Sequence, residues 1–367
     1  MGGNGEYAPA CSVKYKNVLI ARFSALGDVA LGIPIVYSVC VSNPDTRFIM
    51  VTQPVASTLF INAPANLTVE AADVKREYTG ISGIVRLKKR LVQKYPIDAF
   101  IDLHDEPFTW VLVLLFRMSG IPCERLNKGR SGKRALTRKH NKRMFPLISA
   151  MARYREVFHR MGLSFNDSFE SIYGELPATG PVEDFASLAA PKRPGETWIA
   201  IAPFAKYTAK MYPLDLMETV VAEIARWEDT RIFLFGVGDE ERRVFAQWAS
   251  RYPSVTTLAE RRNGFHKELA LLSHCDVMLT MDSVNMHLAS LVRVPVVSVW
   301  GATHPYCGFM GWHQSERNAV QLNMSCRPCS VTGNKPCANR DRDYYCLRGI
   351  SPQLILSHLA AVLNRKV

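Results

Sequence analysis

Short, wholly apolar runs alternate along the chain with amphipathic stretches of helical length. In the first half the apolar runs lie at residues 17–23, 47–51 and 99–103, and each has the length of a strand buried on both faces. A helical pattern at 84–94 separates the last two runs, and another follows at 151–161. This alternation predicts an α/β domain built on a parallel sheet.

The same alternation begins again after residues 177–196, a stretch rich in Pro, Ala and Gly that we interpret as a linker. The chain therefore predicts two Rossmann-like domains, at 17–176 and 197–350, after a flexible N-terminus at 1–16 and before a C-terminal helical segment at 351–367. The second domain is predicted to contain strands at 198–202, 231–235, 255–258, 277–281 and 296–300, with helices at 213–227, 239–251 and 266–273.

Residues 276–305 predict a strand, a capped helix and a second strand. The first apolar run leads into Asp282 and Ser283, which begin helices well, and Pro295 ends the helix. In a parallel sheet such a helix begins at the carboxyl edge of the strands, where its amide groups and dipole suit a phosphate or diphosphate. A core unit with no ligand would show the same pattern. Four polar residues crowd into this helix start, which favours a ligand site: Asp282, Ser283, Asn285 and His287.

A second polar motif, Ser24-Ala25-Leu26-Gly27-Asp28, follows the first apolar run. Pro34 fits best in a first helical turn, so Asp28 is expected in a loop or short turn just before the main helix. Its carboxylate would then lie at the carboxyl edge of the first strand, as a helix cap or as a catalytic group. The nearby glycines do not complete a G-x-G-x-x-G dinucleotide motif, because Val29 occupies the place of the middle glycine.

The chain has 367 residues, of which 48% are apolar and 21% charged, enough for two cores. Its net charge of +12 suggests an anionic partner such as nucleic acid, an acidic membrane surface or a phosphorylated substrate. Nine Lys or Arg residues lie within residues 125–143. This basic run is either a solvated loop or a contact surface for a polyanion, and its lack of aromatic residues argues against a platform for single-stranded nucleic acid.

No secretory signal and no apolar run of membrane-spanning length occur in the sequence, which predicts a cytoplasmic protein that can associate peripherally with a membrane. Its nine cysteines are then expected to be reduced thiols or metal ligands. Four have the spacing C-x2-C-x7-C-x8-C, which leaves structural zinc, unliganded thiols and a disulfide-linked loop as alternatives: Cys326, Cys329, Cys337 and Cys346. The single Asp-x-Asp motif, Asp341-Arg342-Asp343, is interpreted as surface.

Four sequence patterns occur in a characteristic order: SALGD at 24–28, IAPFAKYTAKMYP at 201–213, FGVGDEE at 235–241 and MDSVNMHLASLVRVPVVSVWGATHP at 281–305. Together they resemble the motifs of glycosyltransferase family 9, the ADP-heptose:lipopolysaccharide heptosyltransferases. Val284 stands where the family has Gly after Asp-Ser, and residues 202–204 stand where it has His-Pro-Gly. The resemblance implies the GT-B architecture, with two Rossmann-like domains facing each other across a cleft.

The resemblance also implies an inverting transfer of a sugar, most simply heptose from ADP-heptose, without a required metal or other cofactor. Asp28 would be the general base, and Lys210 with Thr208 would bind the donor diphosphate together with the helix start that contains Asp282, Ser283, Val284, Asn285 and His287. Asp239 or Glu240 would accept hydrogen bonds from the ribose. An anionic, lipid-linked saccharide at the inner membrane surface would be the acceptor, and its candidate binding residues are Ser24, Gly27, Arg130, Lys133 and Arg134.

Three other functions remain open from the sequence. A sugar-nucleotide epimerase would share the fold but would need no acceptor. A nucleic-acid-binding protein could use the basic run and the cysteine cluster, but would leave the ordered α/β motifs without a role. A sugar-nucleotide-binding module without activity would not need Asp28 and Lys210.

Overall fold

The structure, a computed structural model, describes residues 15–337 and 344–365, and these residues form two compact units. The first unit contains the described residues up to Lys128 together with Ala150–Phe169, and the second contains Gly129–Ser149 and the chain from Glu170 onward. Residues 1–14 of the predicted flexible N-terminus and the motif at 341–343 lie outside the described residues. None of the helices in the described ranges combines the length and apolarity needed to cross a bilayer.

The first unit is built on a parallel sheet whose strand order within the described residues is β3-β2-β1-β4-β5. After β5 the chain leaves this unit through α5 (Arg130–Thr137) and returns to it with α6 (Ala150–Arg160). The elements before α5 are β1 (Asn17–Ala21), α1 (Leu26–Ser42), β2 (Arg47–Thr52), α2 (Pro54–Ser57), β3 (Leu67–Ala71), α3 (Gly80–Lys94), β4 (Ala99–Asp102), α4 (Pro107–Arg117) and β5 (Cys123–Arg125).

Helices cover both faces of this sheet. Because the crossovers of parallel strands are right-handed, the helix between β1 and β2 lies on one face, while α3 and α4 lie side by side on the other. Leu87 of α3 and Phe116 of α4 pack in one apolar core with Leu19 of β1. Helix α6 packs against α1, and α1 is therefore buried from Val29 to Cys40.

The second unit is built on a parallel sheet with the order β11-β10-β9-β6-β7-β8 in the described residues. Its core joins Ile201 of β6 to Leu279 of β9 and to Leu359 of the C-terminal helix. The elements are α7 (Val182–Phe185), β6 (Thr197–Ala202), α8 (Leu214–Ile224), β7 (Thr230–Leu234), α9 (Asp239–Arg251), β8 (Val255–Thr257), α10 (Phe265–Leu272), β9 (Val277–Met281), α11 (Val284–Leu291), β10 (Val296–Val299), β11 (Ala319–Val320), α12 (Tyr345–Arg348) and α13 (Pro352–Val362).

The boundaries of the units differ from the predicted domains at two places. The basic run continues into Gly129–Ser149, which belongs to the second unit, because Leu147 N donates to Tyr306 O over 3.0 Å and Lys142 Nζ donates to Pro328 O over 2.9 Å. The predicted linker also belongs to the second unit. Its helix α7 packs on α10, and Lys192 pairs with Asp276 at 2.7 Å.

Three short strands were not predicted from the sequence. The strand β3 contains the polar residues Thr68 and Glu70 among its five residues, β5 has three residues and β11 has two. None of them has an apolar run long enough to indicate a strand on its own. These strands form because each pairs with a neighbour: β3 with β2, β5 with β4 and β11 with β10.

Candidate active site

The first unit brings a carboxylate and a guanidinium together at the carboxyl edge of β1. Asp28 lies in the first turn of α1, whereas a loop or short turn before the helix was expected from the sequence. The expected position was wrong because Pro34 is accommodated within the long helix. Asp28 Oδ2 accepts a hydrogen bond from Ala25 N (3.1 Å) and lies 2.6 Å from Nη2 of Arg22. The carboxylate therefore caps the helix, and its side chain is still 26% exposed.

Arg22 is buried and holds this carboxylate in place. Its guanidinium also donates to Leu103 O, and it lies 5.8 Å from the ring of Tyr154. Burial acts to lower the pKa of Arg22, yet Tyr154 and Asp28 beside it raise that pKa above its usual value. Arg22 therefore stays charged, and it fixes Asp28 at the sheet edge as an ion pair with one accessible side.

A histidine that sequence reasoning missed lies beside this pair. His104 follows β4, and its Nε2 is 3.0 Å from Ser24 Oγ. Asp102 shapes the turn by accepting the backbone N–H of His104 (2.8 Å) and of Asp105 (3.1 Å) with one oxygen. The signal was present in the sequence, since polar residues directly follow an apolar strand run there.

Burial, followed by the positive charges of Arg22 and Lys128, lowers the pKa of His104 to about 3. The ring is therefore neutral at physiological pH, and it can share one hydrogen bond with Ser24 without adding positive charge next to Asp28. Ser24, Asp28 and His104 thus form the polar cluster of the first unit.

The lowered pKa of His104 predicts that the protein loses stability in acid. The histidine takes up a proton near pH 6.5 in the unfolded chain but only near pH 3 in the folded protein. Between these pH values protonation favours the unfolded chain, so the free energy of unfolding falls as the pH falls. From pH 7 to pH 5 we expect about 2 kcal/mol of the loss in the free energy of unfolding to come from this residue. Urea unfolding of wild type and His104→Asn at both pH values measures it. An equal loss in both proteins would contradict the prediction.

The second unit has its own polar cluster, at the carboxyl edge of β6 and β9. Lys210 closes the short turn Thr208–Lys210, and its Nζ lies 2.9 Å from Asp282 Oδ2 at the end of β9. Both side chains are largely buried, whereas Thr208 is exposed. Ala302 N donates to Ala209 O over 2.9 Å, which ties this turn to the loop after β10.

Helix α11 begins directly after this ion pair. Ser283 is its N-cap, as predicted, and its Oγ accepts the N–H of Asn285 at 3.3 Å. Val284 and Asn285 are partly exposed and His287 is buried one turn later. The structure therefore brings Lys210 and the positive end of the α11 dipole to one edge of the second sheet.

Gly333 lies between Cys329 and Cys337, in the Cys-rich segment that begins at Cys326, and it packs on the aliphatic part of the Lys210 side chain. A Cβ at this position would lie 2.4 Å from Lys210 Cγ, and the φ angle of +78° is one that other residues rarely adopt. The neighbouring Arg327 is buried and donates to the carbonyl groups of Gly301 and Thr303, which holds this segment on the loop after β10. The Cys-rich segment thus helps to position Lys210, a contact between distant parts of the chain that no local pattern indicated.

Comparison with known proteins identifies the family to which these clusters belong. The model of glycosyltransferase family 9 (heptosyltransferase) matches residues 84–338. The chain belongs to glycosyltransferase family 9. A lipooligosaccharide heptosyltransferase 2 from Campylobacter jejuni is 22% identical over 176 residues, which are 47% of this chain and 53% of that relative. This family 9 chain therefore spans about half the length of the curated relative it matches.

Two solved structures are similar to the family 9 chain over nearly its whole length. A family 9 glycosyltransferase from Veillonella parvula has a TM-score of 0.71 at 16% identity, covering 97% of this chain and 99% of that one. The heptosyltransferase WaaC of E. coli, with ADP-2-deoxy-2-fluoro heptose, has a TM-score of 0.63 at 16% identity, covering 94% and 99%. At these identities the likeness shows the fold, and the predicted α/β class with the Rossmann-like domains of GT-B proteins is confirmed.

The first turn of α9, which follows β7, presents three acidic residues in different ways. Asp239 is 97% exposed on its side chain and pairs with Arg242 at 2.9 Å, and Glu240 is exposed as well. Glu241, which was not considered from the sequence, folds back over the glycine turn: a Cβ on Gly238 would meet its Oε2 at 2.4 Å. The φ of +149° at Gly238 makes that turn one that favours glycine.

The predicted acceptor-binding residues divide between the units. Ser24 and Gly27 lie in the first unit near Asp28, while Arg130, Lys133 and Arg134 lie on α5 in the second. Lys133 Nζ is 4.7 Å from the centroid of the Phe309 ring, in the loop that follows β10. The sequence placed the whole basic run in the N-terminal domain, whereas its residues from Gly129 onward belong to the second unit, because a charge run shows no periodicity that indicates its packing partner.

Structural zinc, unliganded thiols and a disulfide-linked loop were the alternatives that the sequence left open for the four C-terminal cysteines. Within residues 15–337 and 344–365, no three His, Cys, Asp or Glu side chains come close enough to hold one metal ion. Cys346 is buried on α12, while Cys326 is exposed. Burial raises the pKa of Cys346 to about 11 and also raises that of Cys329, and the neighbouring C-terminal thiols add to both shifts.

Proposed function

We propose that this protein is an inverting heptosyltransferase that moves heptose from ADP-heptose onto an anionic, lipid-linked saccharide. The observation that carries the proposal is the partly exposed carboxylate of Asp28, fixed by buried Arg22 at the carboxyl edge of β1. Membership of family 9 supports a glycosyl transfer, and the ADP-sugar bound by the similar WaaC structure supports this donor. Cytoplasmic location at the inner membrane surface follows from where such an acceptor would be.

Asp28 would act as the general base. Its carboxylate takes the proton of the acceptor hydroxyl while that oxygen forms a bond to the anomeric carbon of the donor. The bond from that carbon to the diphosphate breaks, and ADP leaves with the electron pair. One displacement from the opposite side inverts the anomeric configuration. Arg22 orients Asp28 through the ion pair, and neutral His104 orients Ser24 at the same edge.

Lys210 and the start of α11 would stabilise the leaving diphosphate. Lys210 would exchange part of its contact with Asp282 for the phosphate oxygens, and Thr208 would add a hydroxyl donor from the same turn. The positive end of α11 adds favourable electrostatics for an anion, through Ser283, Val284, Asn285 and the turn that contains His287. Lysine and helix dipole together supply the charge that the leaving group requires, so we propose that no metal is needed for transfer.

The ribose and the acceptor complete the proposed contacts. Asp239, Glu240 and the inward-folded Glu241 are the carboxylates available to the ribose hydroxyls after β7. Ser24 and Gly27 lie next to Asp28, where the acceptor hydroxyl must come. Arg130, Lys133 and Arg134 remain candidates for the acid groups of the acceptor, and the net charge of +12 favours such a partner.

Calorimetric titration with a panel of nucleotide sugars tests the donor. We expect ADP-heptose to bind and UDP-N-acetylglucosamine to bind at least about tenfold more weakly, because the donor site must distinguish the base. Incubation with each donor alone separates transfer from epimerisation: a transferase leaves the sugar configuration unchanged. Preferential binding of a UDP-sugar, or its epimerisation without acceptor, would contradict the proposal.

A further inference from the structure

Two neighbouring helices of the first unit carry apolar side chains on their solvent-facing sides. On α4 these residues have a spacing of four, which is one face of a helix, and on α3 they follow the same helical period. Large apolar side chains that are both exposed and contiguous mark an interaction surface rather than a core. The exposed fractions are Ile81 71%, Val85 46%, Val92 40%, Trp110 40%, Leu114 57% and Met118 76%.

The two rows of side chains form one surface, because Lys88 connects the helices. Lys88 lies on the α3 flank that contains Val85 and Val92, and its Nζ donates to Leu115 O of α4 at 2.8 Å. Both helices pack on the same face of the sheet, with Leu87 and Phe116 in a common core. The apolar row of α3 therefore borders the apolar row of α4; we call this surface the α3–α4 patch.

The charged residues within the two helices of the α3–α4 patch have one sign, while Asp105, which accepts the indole N–H of Trp110 at 2.9 Å, and the N-cap Glu106 lie just before α4. Neither helix contains Asp or Glu, whereas α3 contains five Lys or Arg residues and α4 ends in Arg117. Arg90 and Lys94 pair with Glu70 at the far flank, which leaves Lys89 exposed on the outer side together with Arg117. Exposed apolar residues, including a tryptophan, with basic residues at their border are the composition of helices that lie in a membrane interface.

We propose that the α3–α4 patch docks the protein on an anionic phospholipid bilayer, with Leu114 and Met118 entering the boundary of the acyl chains and Lys89 and Arg117 contacting the headgroups. A bilayer fits this patch because the charged residues on both of its helices are basic, and like-signed basic residues beside exposed apolar side chains are attracted to an anionic leaflet. The inference rests on the proposed function only in that the acceptor is taken to be lipid-linked.

Sedimentation with vesicles of phosphatidylcholine containing phosphatidylglycerol tests the docking. We expect Leu114→Ser/Met118→Ser and Lys89→Ser/Arg117→Ser each to lower the vesicle partition coefficient by about 10- to 30-fold. Vesicles of phosphatidylcholine alone should bind the wild type much more weakly, and added salt should release it. Val41→Ser/Val55→Ser removes two exposed apolar residues elsewhere in the first unit, and Arg226→Ser/Arg262→Ser removes two charges in the second. Both controls should bind like the wild type.

Equal binding to vesicles by the wild type and the two patch variants would overturn the proposal. It would also be overturned if light scattering showed a wild-type dimer and both patch variants were monomers, since the patch would then bind a second copy of the chain. Heptosyl transfer onto a water-soluble acceptor saccharide keeps the two proposals separate. Variants that no longer bind vesicles but still transfer heptose would support the membrane-docking role of the patch. A wild type that binds vesicles but transfers no heptose would contradict the proposed function alone.

Discussion

Asp28→Asn is expected to lower the rate of heptosyl transfer by about a hundred- to ten-thousandfold, the range that a general base contributes. Asparagine keeps the size of the side chain and can still cap α1 through Ala25 N, but it cannot take the proton of the acceptor hydroxyl. Single-turnover transfer from ADP-heptose measures the effect. Donor affinity should stay within about twofold of wild type, since Asp28 belongs to the first unit and the proposed diphosphate contacts to the second.

Asp28→Asn also leaves the buried guanidinium of Arg22 without its ion pair, so some loss of folding stability is expected as well. The rate is therefore measured well below the unfolding transition of the variant. Asp45→Asn, an exposed aspartate of the same unit, is the matched control and should transfer at the wild-type rate. An Asp28→Asn variant with the wild-type rate would show that Asp28 is not the base.

Lys210→Met is expected to reduce transfer by about a hundred- to thousandfold, the usual effect of removing one group that stabilises developing charge. Methionine retains most of the stem on which Gly333 packs but lacks the ammonium group that pairs with Asp282 at 2.9 Å. Because that charge also attracts the ground-state diphosphate, the affinity for ADP measured by calorimetry should fall together with the rate.

The loss of Lys210 leaves Asp282 buried and without its ion pair, which would destabilise the second unit. A lower transfer rate would then reflect unfolding as well as lost catalysis. Lys210→Met/Asp282→Asn removes both charges and should recover stability in urea without recovering transfer. Lys206→Met, an exposed lysine four residues earlier, should behave as wild type. Recovery of transfer by the double variant would assign Lys210 a structural role only.

The sequence predicted the second unit well where local signals agree. β9 has the predicted bounds, and α11 begins after Ser283 because a serine hydroxyl satisfies one of the helix's first amide groups. Pro295 follows the end of that helix, as expected. The ion pair of Lys210 with Asp282 could be anticipated only in outline, since the sequence put both residues at the carboxyl edges of strands and the sheet order made them neighbours.

What the sequence did not reveal depends on contacts between distant residues. Gly333 reaches Lys210 across more than a hundred positions, and no local pattern encodes that approach. His104 and Glu241 were overlooked although each belongs to a polar group that follows a strand, because polar residues there are equally consistent with a turn. The packing of Gly129–Ser149 on the second unit depends on backbone hydrogen bonds such as that from Leu147 N to Tyr306 O, which any side chain could make.

We propose that Asp28 in the first unit and Lys210 in the second serve one transfer from ADP-heptose. Mass spectrometry of a lipid A-type acceptor carrying acidic core sugars, after incubation with ADP-heptose, tests it most directly. We expect the wild-type protein to add the mass of one heptose and to release ADP, and Asp28→Asn and Lys210→Met to do so only at the strongly reduced rates given above. An acceptor of unchanged mass with wild-type protein that binds ADP-heptose, or full transfer by either variant, would contradict it.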